Sequence, residues 1–179
     1  MAAGPAPARE SSDRGAKWLT TLASLAVGAA FLLLWFWLLP VWLNFRVDLT
    51  GAARWRWIAA LPSALGFAVA LRCVFDFGWT GRGTPMPLIP PRRLVVVGFY
   101  RYVRNPMYVG FFAGWIGLWI IFGRANWIAL VIAFLVILGT SLFVVFYEEP
   151  TLRRKFGADY IEYCRHVRRW LPRLHPWSP

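Results

Sequence analysis

The chain alternates long apolar segments with short polar ones, and four segments carry almost no charge. They are Trp18 to Phe45, Trp57 to Phe75 with Arg72 as its one charge, Asn105 to Gly123, and Ala125 to Tyr147. Each is near or above the roughly 20 residues that a helix needs to cross a hydrocarbon core about 30 Å thick. The pattern predicts an all-α membrane protein with about four transmembrane helices.

The polar stretches divide the chain into three parts. Residues 1–16 are small and polar and contain proline, so a disordered N-terminal tail is expected. Residues 17–75 hold the first pair of predicted transmembrane helices. Residues 76–179 begin with a loop rich in Gly and Pro, continue as a transmembrane hairpin over residues 105–149, and end in a C-terminal tail.

Composition and charge support a membrane location. Hydrophobic residues make up 59% of the chain, and 12 residues are Trp, which is unusual for a soluble domain. The net charge of +12 could indicate nucleic acid, but its distribution favours a topological role. If the four helices alternate, 16 of the 20 Lys and Arg residues fall on one side. That bias predicts cytoplasmic N- and C-termini and contact with anionic lipid.

The third apolar segment has a well-marked beginning. Asn105 suits a helix N-cap and Pro106 suits the first helical position, so we expect the helix to begin near Met107. Small residues then recur at i, i+3, i+4 and i+7, a spacing that lets another membrane helix approach closely. They are Gly110, Ala113, Gly114 and Gly117.

Two adjacent carboxylates follow the fourth apolar segment. Because a short turn joins the third and fourth helices, Glu148 and Glu149 should lie at the same interface as Asn105. Pro150 is expected to stop or kink the helix, which would place both carboxylates at the unfavourable negative end of its dipole. Either they form ion pairs with Arg101, Arg104 or the tail arginines, or they hold a cationic ligand.

The opposite wall of this interface favours negative charge. Unpaired N–H groups at the start of the third helix can bind an anion, and Arg101 and Arg104 suit a carboxylate. An acidic pair facing a helix N-terminus fits a zwitterionic ligand. The sequence contains no nucleotide-binding glycine motif, and Cys73 and Cys164 have no partners at metal-ligand spacing, so no metal site is predicted.

The C-terminal tail has the spacing of an amphipathic helix. Apolar residues recur at helical intervals between basic ones, which is typical of a helix on a membrane surface. They are Leu152, Phe156, Tyr160, Tyr163, Val167 and Trp170. Gly157 interrupts this pattern, and His166 is expected to be a surface residue.

Two motifs in this region resemble the integral-membrane methyltransferases, which include isoprenylcysteine carboxyl methyltransferase and the phospholipid N-methyltransferases. The first pattern, G-x-Y-x-x-x-R-[HN]-P-x-Y-x-G, corresponds to "GFYRYVRNPMYVG" from Gly98 to Gly110. The second joins an E-E pair to F-G-x-x-Y-x-x-Y and is matched by Glu148, Glu149, Phe156, Gly157, Tyr160 and Tyr163. The resemblance covers roughly Gly81 to Pro172.

The resemblance implies S-adenosylmethionine as cofactor, held at the cytoplasmic interface within a catalytic region of residues 76–179. Glu148 would hold cationic groups, while Arg104 and Glu149 are weaker candidates for a catalytic role. The implied cofactor contacts are Arg92, Arg93, Leu94, Val95, Tyr100, Asn105, Pro106, Met107, Tyr108 and Glu148. The implied activity is methyl transfer to a lipophilic acceptor, as in isoprenylcysteine carboxyl O-methylation, with no nucleic-acid or obligate protein partner.

Two positions depart from the pattern of these families. Asn105 stands where many members have His. Val144 stands where prenylcysteine methyltransferases share an Arg that is linked to the substrate, which argues against a prenylcysteine acceptor. Phospholipid N-methylation and small-thiol S-methylation are therefore alternatives, and a sterol-reductase-like protein or a non-enzymatic membrane scaffold are alternatives of another class.

Overall fold

A computed structural model describes residues 7–34, 54–81, 93–122 and 127–178, and the regular structure in these ranges is helical throughout. Most of the Gly- and Pro-rich loop and the "GRAN" turn lie outside the described residues. The helices are α1 (Pro7–Leu33), α2 (Ala60–Trp79, preceded by a 3₁₀ turn at Arg54–Ala59), α3 (Pro106–Ile121), α4 (Trp127–Phe143) and α5 (Glu149–His166).

Two continuous helical stretches are long and apolar enough to cross a membrane, namely Arg54–Trp79 and Trp127–His166. Two further apolar helices, Trp18–Ala30 and Pro106–Ile121, are shorter. Residues 35–45 of the first predicted segment lie outside the described residues. The all-helical fold with membrane-length helices is therefore confirmed, while the number of four spans stays a prediction.

Helix α1 extends further toward the N-terminus than the sequence pattern indicates. It begins at Pro7, so residues 7–16 are helical where a disordered tail was expected. Proline is compatible with a first helical turn. Helix α1 is joined to the end of α2 by a hydrogen bond of 2.9 Å, which the Thr20 hydroxyl donates to the Gly78 carbonyl.

Helices α2 and α3 pack closely against each other, through the small residues that the sequence places on one face of α3. A Cβ on Gly110 would lie 2.6 Å from the Gly66 carbonyl oxygen, and one on Gly66 would lie 2.5 Å from the Gly110 carbonyl oxygen. Ser63 donates a buried hydrogen bond of 2.8 Å to the Gly114 carbonyl. The predicted close approach of another helix is confirmed, and the partner is α2.

The junction between α4 and α5 differs from the prediction. The helix continues through Pro150 instead of stopping there, because a π-helical turn at Val144–Glu148 widens the backbone just before the proline. The Glu149 N–H donates to the Val144 carbonyl across this turn. A wider turn accommodates a ring that would clash with the preceding carbonyls of a regular α-helix. The two glutamates therefore lie inside a continuous helix and not at a helix C-terminus.

Helix α5 bends at Gly157, whose φ of 55° lies in the left-handed region that favours glycine. The helix ends at His166, and Val167 is already extended, so the predicted helical register does not continue to Trp170. The apolar face is also not free for a membrane surface, because Tyr160 and Tyr163 are buried against the chain itself. Residues 167–178, which are not helical, are referred to below as the C-terminal strap.

We expect Gly110→Ala to destabilise the protein by about 1–3 kcal/mol, because its Cβ would lie 2.6 Å from a backbone oxygen of α2 and the helices would have to separate. Thermal unfolding in detergent measures the change. Gly139→Ala is the matched control, because it also replaces a glycine within a helix, and a Cβ at that position meets nothing within 4 Å. Equal melting temperatures for the two variants would contradict the packing assignment.

Candidate functional site

A cavity lies where the start of α3, the junction of α4 and α5, and the last turn of α2 meet. The cavity has a volume of about 560 Å³ when the open solvent at its mouth is included. The centre of a water molecule could occupy about 50 Å³ of this volume. The space is narrow inside and widens at the mouth. Its lining consists of Phe77, Leu94, Val95, Tyr100, Arg104, Asn105, Met107, Tyr108, Glu148, Glu149, Leu152, Tyr160 and Tyr163.

The Tyr100 wall is held by a tight 3₁₀ turn at Gly98–Arg101. Gly98 has a φ of 54°, and a Cβ there would lie 2.6 Å from Oδ2 of Asp76, so the position requires glycine for two reasons. The buried Tyr163 hydroxyl donates to the Tyr100 carbonyl at 2.6 Å. This bond joins α5 directly to the segment that precedes α3.

Glu148 is the first charged residue after the charge-free stretch of α4, and its carboxylate faces the cavity. The Tyr108 hydroxyl donates to its Oε2 at 3.2 Å. Within the described part of the chain, Glu148 makes no ion pair, so its carboxylate is available to a cation.

Glu149 has the opposite character, because two arginines neutralise it. Arg169 of the strap donates to Oε1 from Nε at 2.7 Å and to Oε2 from Nη2 at 2.9 Å. Nη1 of Arg104 lies 3.2 Å from Oε1 of the same carboxylate. The hydrogen bond to Glu149 raises the pKa of Arg169. Glu149 therefore forms ion pairs with Arg104 and Arg169, which is one of the two roles that the sequence predicts for the glutamates. Glu148 does not form such a pair within the described part of the chain.

Arg104 keeps donor capacity toward the cavity. Its Nη1 contacts Glu149 and donates to Sγ of Cys164 at 2.6 Å. Its Nε is buried and has no hydrogen-bond partner among the described residues. Unpaired buried donors are rare in proteins, so this group is a candidate for a ligand oxygen.

Asn105 occupies the N-cap position of α3 without capping it through its side chain. The amide donates instead to the Arg169 carbonyl at 3.2 Å, so the predicted capping role is wrong. Pro106 stands at the first helical position, as expected, where its lack of an N–H costs nothing. The amide of Asn105 therefore serves the strap and leaves the helix N–H groups uncapped by this side chain.

The C-terminal strap runs alongside the segment that precedes α3 and bonds to it repeatedly. The Arg104 N–H donates to the Arg168 carbonyl at 2.9 Å, and the Arg173 N–H to the Tyr102 carbonyl at 3.0 Å. The N–H of Trp177 donates to the Arg101 carbonyl at 2.9 Å. Backbone bonds of this kind fix the strap in one register against the cavity wall.

Most of the residues implied by the resemblance lie together at this cavity. Leu94, Val95, Tyr100, Asn105, Met107, Tyr108 and Glu148 line it, as do Arg104 and Glu149. Arg93 is exposed and outside the lining, Pro106 is buried beneath the helix start, and Arg92 lies outside the described residues. Arg101, which was expected to suit a ligand carboxylate, donates instead to the Trp177 carbonyl at 2.8 Å and to the Ser178 hydroxyl.

The sequence interpretation missed several members of the site. Phe77 lies in the last turn of α2. Its predicted position at the same interface as Asn105 and Glu148 is the sequence signal that could have placed it in the site. Tyr160 and Tyr163 belong to the second motif but were assigned to a surface helix. Arg169 was grouped with the other tail arginines, and no local pattern distinguishes it from Arg168.

The fold and the cavity define a helical membrane-associated protein with a polar site at one end of its apolar helices. A family model described as phospholipid methyltransferase matches residues 55–159, more than half of the chain. The chain therefore belongs to the phospholipid methyltransferase family, a family of membrane methyltransferases. No curated protein and no solved structure matches the chain.

Tyr163→Phe is expected to lower the free energy of unfolding by about 1–3 kcal/mol, because it leaves the buried Tyr100 carbonyl without its donor. Chemical or thermal unfolding in detergent measures the loss. Tyr102→Phe makes the same chemical change at a hydroxyl for which the described residues offer no hydrogen bond, so it should be nearly neutral. A Tyr163→Phe variant as stable as Tyr102→Phe would refute the role assigned to this bond.

Proposed function

We propose that the protein is an S-adenosylmethionine-dependent methyltransferase that acts on a lipophilic acceptor delivered by the membrane. The observation that carries the proposal is a cavity lined by both Glu148 and Arg104. Among the described residues, Glu148 has no ion-pair partner, and Nε of Arg104, whose Nη1 contacts Glu149, has no hydrogen-bond acceptor. Membership in the methyltransferase family supports it.

The residues present fit this cofactor. Its amino-acid part carries an ammonium group and a carboxylate, which match Glu148 and Arg104 respectively. The uncapped N–H groups at the start of α3 add positive potential on the Arg104 side. Tyr100 and Val95 offer apolar and aromatic surface for the remainder of the molecule. The cavity is partly open, so the remainder of the cofactor would have room outside it.

When bound, the cofactor supplies an electrophilic methyl group on a sulfonium. With an amine acceptor, the methyl group would exchange its bond to sulfur for a bond to nitrogen, and the amine proton would pass to water. The residues of the chain contribute alignment and exclusion of water, which are the main requirements of an in-line displacement. Glu148 and Arg104 orient the amino-acid part, and apolar side chains such as Leu152 and Met107 keep water from the reacting atoms.

We propose the amine headgroup of a phospholipid as the acceptor. The description of the family supports this choice. Val144 supports it as well, because prenylcysteine methyltransferases share an arginine at the corresponding position, whereas here an apolar side chain is only 1% exposed. No cation stands at that position to receive the carboxylate of a prenylcysteine. A headgroup amine requires no such partner.

Binding of S-adenosylhomocysteine should weaken on acidification, because only the ionised form of Glu148 attracts the ammonium group. Tyr108→Phe should move the midpoint of this change to higher pH, since the Tyr108 hydroxyl donates to the Glu148 carboxylate and thereby favours its ionised form. Calorimetric titration in detergent measures both.

Glu148→Gln should abolish this pH step and weaken binding on the order of tenfold or more at neutral pH. Glu162→Gln is the matched control, because Glu162 is exposed on α5 and pairs only with neighbours on the same helix. Unchanged binding by the Glu148→Gln variant would remove the proposed cation pole.

Membranes that contain the protein should transfer a labelled methyl group from S-adenosylmethionine to lipid-extractable material. With phosphatidylethanolamine as acceptor, alkali should release no volatile label, because an N-methyl group stays on the headgroup even when the acyl esters are hydrolysed. A prenylcysteine methyl ester would release volatile labelled methanol under the same treatment. Volatile label would refute the amine acceptor but keep the methyltransferase, and absence of label with every acceptor would contradict both.

A further inference from the structure

Arg169 occupies an unusual place for a residue of the C-terminal strap. It lies beyond the matched family region, which ends at residue 159, and still reaches into the charged centre of the cavity. Its guanidinium binds both oxygens of Glu149, at 2.7 and 2.9 Å. Its carbonyl accepts from Asn105, so the backbone of the strap is fixed on the same side. The position of this arginine is thus set from both ends.

The charges around Glu149 leave one arginine in excess. Arg104 and Arg169 both contact the carboxylate, but Arg169 makes two hydrogen bonds and Arg104 a single contact at 3.2 Å. If Arg169 were absent, Arg104 would be the remaining cation at Glu149 among the described residues, and Glu149 is only 4% exposed. A buried carboxylate requires a close partner, so Arg104 would turn toward it. The Arg104 guanidinium would then have less donor capacity left for a ligand in the cavity that it lines.

We propose that Arg169 is a positioning residue that satisfies Glu149 and so keeps Arg104 available for the carboxylate of a bound amino-acid group. This inference rests on the proposed function, because it concerns the carboxylate of the cofactor and its product. Arg169 itself does not line the cavity and does not touch the ligand. Its effect reaches the ligand only through Glu149 and Arg104.

Two ligands separate this role from a merely structural one. S-Adenosylhomocysteine carries the carboxylate, whereas 5′-methylthioadenosine has the same nucleoside and thioether without the amino-acid part. Arg169→Gln should weaken binding of S-adenosylhomocysteine on the order of tenfold, the loss expected for a charge-assisted hydrogen bond. Binding of 5′-methylthioadenosine should stay within about twofold, since it makes no use of Arg104. Equal losses for both ligands would overturn the proposal in favour of general destabilisation.

Three further variants make the test independent of a single substitution. Arg168→Gln removes the same charge from the exposed neighbour and should leave both affinities unchanged. Arg169→Lys keeps the charge and should retain most of the affinity for S-adenosylhomocysteine. In a Glu149→Gln background, Arg169→Gln should have little further effect, because the competitor for Arg104 is already gone. If Arg169→Gln costs as much in that background, Arg169 acts by another route and the proposal is wrong.

The wild-type protein provides the remaining distinction. If it binds neither ligand, the proposed cofactor site fails and this inference fails with it. If the wild type binds S-adenosylhomocysteine and the Arg169→Gln variant binds it equally well, the proposed function stands and only the role of Arg169 is refuted.

Discussion

The ion pair between Glu149 and its two arginines is the interaction on which the rest of the site depends. It joins the start of α5, the segment before α3 and the C-terminal strap at one point. A carboxylate that is almost fully buried is stable only with close, hydrogen-bonded cations, so removal of either partner leaves an expensive charge behind. Glu149 therefore forces together three parts of the chain that are distant in sequence, and the cavity is what lies between them.

The same arrangement separates the roles of two identical neighbours. Glu149 is paired with two arginines, whereas Glu148 has no ion-pair partner among the described residues and accepts a hydrogen bond from the Tyr108 hydroxyl. Under the proposed function, this difference would leave the Glu148 carboxylate free for the ammonium group of the cofactor.

Features of the sequence that follow from periodicity and helix ends were predictable. The glycine face of α3 and its start at Pro106 follow from patterns that one segment carries by itself, and the proximity of Asn105 to Glu148 follows from the short turn between two predicted helices. The π turn before Pro150, the partner of Asn105 and the reach of Arg169 did not follow, because each depends on a contact with a segment elsewhere in the fold. Arg168 and Arg169 are chemically identical, and only the C-terminal strap determines which of them points at Glu149.

The π turn at Val144–Glu148 sets a limit on chain length as well as on shape. Successive residues of an α-helix are about 100° apart around the axis, so loss of one residue here would restore a regular helix and rotate everything beyond it by roughly that angle. Glu148 and Glu149 would leave their partners together. Exposed apolar side chains of α4 can be replaced by other apolar ones. An insertion or deletion between α4 and α5, by contrast, would rotate the residues of the cavity relative to the apolar helix that precedes them.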